Sequence, residues 1–315
     1  MENKSGVIYH KSFGLANYQF KIPNTIDTKY KIASITKLFT SVLIMQLFEQ
    51  GKLDVNKPII DYLPDYKGEG GSKITIHQLL NHTSGLANID TVTSVESAVK
   101  NGIAVYQHPC TTEELLNRYC SGKPVNVPGK VFDYNNADYI VLGKIIEKIC
   151  NKTYEQVLTE NILQPLGMQQ SGLVYQRDII TGLADTYFFR DDLDKLVPDL
   201  PVYMENWYAA GAMYSTAGDL LRFSHALFGH QLLKQSSLNR MFVPGLDEYG
   251  YGVWVYKDYD INKKNYTIVK RPGRIMGAQS MLFHILGENT TILILSNTGT
   301  TSLDDLAAKI APEII

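Results

Sequence analysis

The hydrophobic pattern divides the chain into three stretches. Short aromatic and β-branched runs at 7–9 and 13–20, separated by turn residues, predict strands near the N-terminus. From Ser34 the pattern changes: Ile35, Leu38, Phe39, Val42, Leu43, Ile44, Met45, Leu47 and Phe48 leave almost no polar face, and Gly51 suits the position just past a helix end. A helix apolar on most faces is a buried, central one. The middle of the chain reads as mostly helical, with capping-box signals at Thr111/Glu114 and Thr153/Gln156 and an apolar helix over 139–149. A further helix over 216–228 precedes four strands, at 252–256, 266–270, 280–285 and 291–296, and a closing helix over 303–310.

Strands at both ends with helices between them predict an α/β fold of the α+β type. One antiparallel sheet is built from both chain termini and flanked by helices, with a mostly helical region inserted. The expected division is a sheet domain of residues 1–50 and 205–315 and an inserted domain of 51–204, with the active site in the cleft between them.

Composition narrows the function classes. The 315 residues, 44% hydrophobic and 20% charged, are those of an ordinary globular protein. A formal net charge of -2 provides no basic stripe, so nucleic acid is not an expected partner. The apolar stretch 38–48 is interrupted by Thr40, Ser41 and Gln46 and falls short of the roughly 20 residues that cross a bilayer, so no transmembrane segment is expected. The first residues lack the apolar core of a signal peptide, which predicts that an export signal is absent or already removed; compartment and oligomeric state stay open. Cys110, Cys120 and Cys150 fit neither a disulfide framework nor a zinc site and are expected to be small buried hydrophobes. His77 and His82, like His225 and His230, are spaced onto different helix faces, so no metal is expected, and no phosphate-cradling loop or other cofactor motif occurs.

Candidate chemistry starts at Ser34-Ile35-Thr36-Lys37, where a hydroxyl and an amine three residues apart share one face of a helix start. The helix dipole and partial burial both push Lys37 toward the neutral amine that can accept the serine proton. The Ser34 N–H is also placed to serve in an oxyanion hole. By itself the motif also describes an N-cap serine followed by a solvated lysine. Ser97-Ala98-Val99-Lys100 has the same spacing in a polar stretch and reads as surface. The distinguishing companion is Tyr134-Asn135-Asn136, immediately before the 139–149 helix. There a phenol can relay protons and the Asn136 amide can bind a substrate carbonyl and steady Lys37. A packed tyrosine with a capping asparagine is the plainer account. Trp207, Tyr208 and Tyr214 are candidates to line a side-chain pocket, and His82 is expected in a structural hydrogen bond.

The order Ser-x-x-Lys, Tyr-x-Asn and then Arg271-Pro272-Gly273 resembles the serine β-lactamase and penicillin-binding protein superfamily: class C β-lactamases, D-alanyl-D-alanine carboxypeptidases and related esterases. The stretches Leu79–Leu86, Phe132–Asn136 and Ala210–Leu220 resemble that family's recurring segments in the same order, over nearly the whole chain. The resemblance implies a β-lactamase/transpeptidase-like fold and a serine hydrolase that forms an acyl-enzyme on a small peptide-like amide, β-lactam or ester. It implies Ser34 as nucleophile, Lys37 as its base, Tyr134 as general acid/base and Asn136 as substrate anchor. The strand carrying Gly273 would line the cleft, with the backbone N–H of Arg274 as second oxyanion donor.

Arg271 stands where members of the family usually carry Lys or His. A guanidinium stays protonated and forks onto carboxylates, so Arg271 is expected to anchor an acidic substrate group. Only Met1–Ser5 precede the segment at 6–10, which predicts a sheet short of an edge strand. Two other readings stay open at this point: a slowly deacylating penicillin-binding protein, and a non-catalytic peptide-binding relative.

Overall fold

A computed structural model describes residues 1–3, 6–90, 92 and 94–315. Among these, the largest sheet has six antiparallel strands in the order Trp254–Ile261, Lys264–Ile275, Ala278–Ile285, Thr290–Ser296, Glu2–Asn3 and Gly6–Val7. Both ends of the chain therefore meet in one sheet, through the pairing Glu2↔Thr291. Ala278–Ile285 is buried along its whole length, as a central strand covered on both faces must be. The helix Leu303–Ile310 covers one face, closing a small core with Ile268, Met281, Phe283, Ile285 and Ile292.

The other face carries the helix Ala217–Phe228 and belongs to the main core, around the helix Thr36–Glu49. Eleven of the fourteen residues in Thr36–Glu49 are buried, Lys37 among them. Phe39 stacks on Phe223 with ring centroids 3.8 Å apart, joining the two helices. Each fully buried large aliphatic side chain here contributes about 1.5–3 kcal/mol. The helix Ala137–Cys150 lies against the same central helix and starts from the Tyr134–Asn136 turn.

Several elements differ from the sequence expectation. The stretch 13–20 forms only the short strand Leu15–Asn17, because Asn17 Oδ1 accepts from the Phe20 N–H at 2.6 Å and turns the chain. The region 51–204 holds a hairpin, Tyr187–Arg190 with Lys195–Pro198, besides its helices. Met213–Ser215 pairs with Gly172–Leu173 on one side and Tyr30–Lys31 on the other in a second sheet of three strands. The expected capping boxes form at Thr111 and Thr153, and a third forms at Thr75 with Gln78. Cys120 is buried, whereas Cys110 and Cys150 are half-buried. No helix among the described residues is long and apolar enough to cross a membrane.

Replacing Phe39 by alanine should cost about 3–5 kcal/mol, since it empties a fully buried aromatic site at the helix–helix seam. Urea unfolding followed by circular dichroism checks this, and an unchanged midpoint would show that the stack does not hold the central helix.

Candidate active site

Ser34 lies in a tight turn, Ala33–Ile35, immediately before the central helix rather than inside it. Ala33 sits in the left-handed region at φ 47°, a strained place for a residue with a side chain. The turn is held from several sides: Thr36 Oγ1 donates to the Ala33 carbonyl at 2.7 Å and Ser280 Oγ to the Ile32 carbonyl at 2.7 Å. The Ile32 N–H adds a bond to the Met213 carbonyl at 3.0 Å.

Three motif side chains converge on this turn. Lys37 Nζ lies 3.1 Å from Ser34 Oγ, and the Tyr134 hydroxyl donates to the same oxygen at 2.9 Å. Lys37 also donates to Asn136 Oδ1 at 2.6 Å and to the Ala210 carbonyl at 3.0 Å. Those two acceptors take two N–H groups, so in the neutral amine the lone pair is left for Ser34. Burial is the main cause that lowers the Lys37 pKa, with the Arg271 charge assisting.

The amide nitrogen of Asn136 is taken up by two neighbours in the cleft wall. Its Nδ2 donates to Asp90 Oδ2 at 2.7 Å and to the Tyr106 hydroxyl at 3.2 Å, so both amide hydrogens are engaged in the wall. The substrate-carbonyl contact expected of Asn136 therefore has no free donor in this arrangement; the steadying of Lys37 is present.

Arg271 also departs from expectation. Its side chain is wholly buried behind Tyr134 and does not line the cleft. Its Nε donates to the Ser34 carbonyl at 2.6 Å, and its two terminal nitrogens donate to the hydroxyls of Tyr249 at 2.9 Å and Tyr134 at 2.5 Å. A guanidinium so enclosed cannot receive a substrate carboxylate. It sets the spacing between the nucleophile's backbone and the phenol instead. Burial would raise the Tyr134 phenol, but the Arg271 and Lys37 charges and hydrogen bonding with Lys37 and Ser34 outweigh it and bring the pKa down to about 8.

Gly273 lies directly against the turn. A side-chain carbon there would stand 2.4 Å from Ser280 Oγ, 2.5 Å from the Ile32 carbonyl and 3.0 Å from the Ser34 nitrogen, so only glycine permits the approach. The pairing with Trp254–Ile261 ends at Trp254↔Lys270, and the strand continues alone on that side to Ile275, past Ser34. Arg274 is exposed, and its side chain lines the cleft.

The cleft has a volume of about 530 Å³ and opens onto Ser34, Tyr134 and Asn136. Trp207 lines it and stacks on Tyr106 at 3.5 Å, whereas Tyr208 and Tyr214 do not line it. His82 takes its structural place: Nδ1 lies 2.8 Å from Asp138 Oδ2, and the ring packs 4.4 Å from that of Tyr134. Burial foremost, then the Lys37 and Arg271 charges, keep His82 neutral. Ser97 is half-buried on the helix Val95–Asn101 and Lys100 is exposed. Among the described residues, no group of three or more His, Cys, Asp or Glu is arranged to hold a metal ion. Asp90, Tyr106, Tyr249 and the Ala210 carbonyl were not identified from sequence. Asp90, in a loop, and Tyr106, on the short helix Ala104–Gln107, sit in no motif and reach Asn136 only through tertiary packing.

With this geometry in view, the chain's relatives are informative. The family described as Beta-lactamase matches residues 3–312. The putative penicillin-binding protein PbpX of Bacillus subtilis (strain 168) is 30% identical over 252 residues, 79% of this chain and 59% of that protein. The chain spans less than two thirds of the length of the curated relatives it matches, 59% of PbpX among them. A penicillin-binding protein from Bacillus halodurans superposes with a TM-score of 0.83 at 28% identity, covering 98% of this chain and 94% of the other. A D-stereospecific amidohydrolase from Streptomyces sp. gives 0.78 at 25%, covering 91% and 87%. The chain belongs to the β-lactamase family, within the superfamily of serine β-lactamases and penicillin-binding proteins.

Ultraviolet difference titration should show one phenol ionising at about 8 that disappears in Tyr134→Phe and moves up toward the ordinary 10 in Arg271→Met. A midpoint unmoved in Arg271→Met would mean that the guanidinium does not tune the phenol.

Proposed function

We propose that the protein hydrolyses small peptide-like amides and esters through an acyl-enzyme on Ser34. The observation that carries this reading is the convergence of Lys37 Nζ at 3.1 Å and the Tyr134 hydroxyl at 2.9 Å on one serine oxygen. Ser34 Oγ attacks the substrate carbonyl as its proton passes to Lys37. The C–O bond forms, and the developing oxyanion is received by the N–H groups of Ser34 and Arg274, with Gly273 permitting the close approach. Tyr134 delivers a proton to the leaving nitrogen or oxygen as its bond to the acyl carbon breaks. Water then attacks the ester, giving its proton to Tyr134, and as the bond between the acyl carbon and Ser34 Oγ breaks, Lys37 returns its proton to Ser34.

The catalytic residues are thus Ser34, Lys37 and Tyr134, with Asn136 orienting Lys37 and Arg271 positioning Tyr134. The cleft they occupy lies between a unit of residues 1–50 and 205–315 and an inserted unit of 51–204. Similarity to penicillin-binding proteins and to a D-stereospecific amidohydrolase supports amides as the substrate class. The enclosed position of Arg271 removes one means of holding a carboxylate and weighs against carboxypeptidase or β-lactamase action as the main activity.

Intact-mass analysis after a fluorophosphonate probe should find one adduct on wild type and none on Ser34→Ala, with kcat/KM for an activated ester falling about 10⁴-fold or more in that variant. No adduct on folded wild type would overturn the hydrolase reading and leave a peptide-binding protein in its place. A penicillin adduct that persists for hours would mark slow deacylation.

The competent Lys37–Tyr134 pair has lost one of its two protons, leaving one base for Ser34 and one proton for the leaving group, and raising the pH produces it. The kcat/KM profile should therefore rise with pH through about 8, and Tyr134→Phe should remove that limb along with most of the activity. A limb surviving in Tyr134→Phe would assign it to Lys37 alone.

A further inference from the structure

The two backbone donors assigned to the oxyanion are anchored unequally. The Ser34 turn is held from several sides, by Thr36, by Ser280 and by the Met213 carbonyl. The strand end that carries Arg274 has a sheet neighbour on one side only. Its pairing with Trp254–Ile261 stops at Trp254↔Lys270, while its pairing with Ala278–Ile285 runs on to Ile275↔Ala278. A segment with few partners opens more easily than one tied on both edges. A shift of about 1 Å at a group that meets the transition state can cost about 100-fold in rate, so something must fix this end.

The anchor is found at the turn that follows. Ile275 and Ala278 are joined by Met276 and Gly277, with Met276 in the left-handed region at φ 47°. The Gly277 N–H, three residues past Arg274, donates to Asp199 Oδ1 at 3.0 Å, a charge-assisted bond. A side-chain carbon at Gly277 would overlap the Tyr187 carbonyl, so the turn is pressed onto that backbone as only glycine allows. Tyr187 is itself fixed: its N–H donates to the Asn297 carbonyl at 2.9 Å, and its carbonyl accepts from the Gly299 N–H at 3.1 Å. Thr186 and Asp199 flank the hairpin at 187–198 and close its base, the Asp199 N–H donating to the Thr186 carbonyl at 3.0 Å. The Thr186 hydroxyl accepts from Lys31 Nζ at 3.2 Å, and the Lys31 and Asp199 charges attract. Lys31 stands three residues before Ser34. The hairpin base therefore touches both segments that carry an oxyanion donor.

We propose that Asp199, together with Thr186, positions the Arg274 N–H for the oxyanion and sets its separation from the Ser34 N–H. Asp199 does not line the cleft and is a positioning residue, acting through the turn at Gly277. The inference rests on the acyl-enzyme reading of Ser34 and on the oxyanion donors assigned there. It adds no step to the reaction, since no bond to Asp199 forms or breaks. What the turn requires at this place is an acceptor oxygen, so an amide oxygen can take over the contact.

The test uses p-nitrophenyl acetate as substrate and phenylboronic acid as inhibitor, on the full chain. The boronic acid bonds to Ser34 Oγ and becomes tetrahedral, with an oxygen where the oxyanion forms. Asp199→Ala should lower kcat/KM about 10- to 100-fold, less than the roughly 10²–10³-fold lost when an oxyanion donor is removed outright. Phenylboronic acid should weaken by a similar factor. Asp199→Asn should recover most of both losses, and the rise of kcat/KM through about 8 should stay in place in both variants, because Asp199 does not touch Tyr134. Unchanged kinetics in Asp199→Ala overturn the proposal. So does a fall in kcat/KM without weaker boronate inhibition, a displaced pH limb, or no recovery in Asp199→Asn. Should Asp199→Ala fail to fold by circular dichroism, Thr186→Val carries the test: a fall of about 3- to 10-fold in both quantities supports the proposal and no change overturns it. A wild type that neither takes the fluorophosphonate probe nor binds phenylboronic acid would instead overturn the Ser34 reading, and this proposal with it.

Discussion

The site is organised around a guanidinium that never reaches solvent. Arg271 is wholly buried, and burying a permanent cation is costly unless its donors are satisfied. Each of its three nitrogens has a partner, the Ser34 carbonyl, the Tyr134 hydroxyl or the Tyr249 hydroxyl, which belong to the nucleophile turn, the Tyr134–Asn136 turn and the loop before Trp254–Ile261. One side chain on the sheet thereby fixes three separate segments. Its planar fork has fixed angles, so the spacing it imposes is stiffer than a lysine could provide. The Tyr134 and Trp254 rings, 5.3 and 5.5 Å from the guanidinium carbon, complete the enclosure.

That arrangement places two basic side chains around one phenol, and their effects differ. Arg271 cannot lose its proton, so its charge acts on Tyr134 at every ordinary pH and disfavours a second cation at Lys37. Burial moves Lys37 in the same downward direction. A guanidinium in the third motif thus does not substitute for a proton-exchanging residue. It converts the position from a substrate contact into a fixed source of positive potential behind the acid/base pair.

Much of the fold was legible because the responsible signals are local. The strand Thr290–Ser296 and the helices Thr36–Glu49 and Leu303–Ile310 carry their periodicity in consecutive residues, and Thr111 and Thr153 carry their caps within four. The hairpin at 187–198 was hidden because its turn, Asp191-Asp192-Leu193-Asp194, has the polarity of any loop and its strands are four residues each. At the site, the residue types and order sufficed to bring Ser34, Lys37, Tyr134 and Gly273 to one place. Orientation was not legible. Whether Arg271 faces the cleft or the interior depends on Tyr249 and Trp254, which lie in a segment that carries no motif.

The same limit explains Asn136 and leads to a coupling within the site. An asparagine amide presents either its oxygen or its nitrogen, and the sequence around residue 136 does not choose. Asp90 chooses, because a carboxylate accepts only from Nδ2, which turns Oδ1 toward Lys37. The carboxylate that faces the cleft is therefore also the group that supplies Lys37 with one of its two acceptors. Were Asn136 reversed, its NH₂ would point at Lys37, the amine would lose that acceptor, and its lone pair would be drawn toward the amide instead of Ser34. A substrate that displaced Asn136 from Asp90 would disturb the base. The cleft wall at Asp90 and proton transfer at Ser34 are linked through one amide group, since the bond that Asp90 accepts fixes the face that Asn136 turns to Lys37.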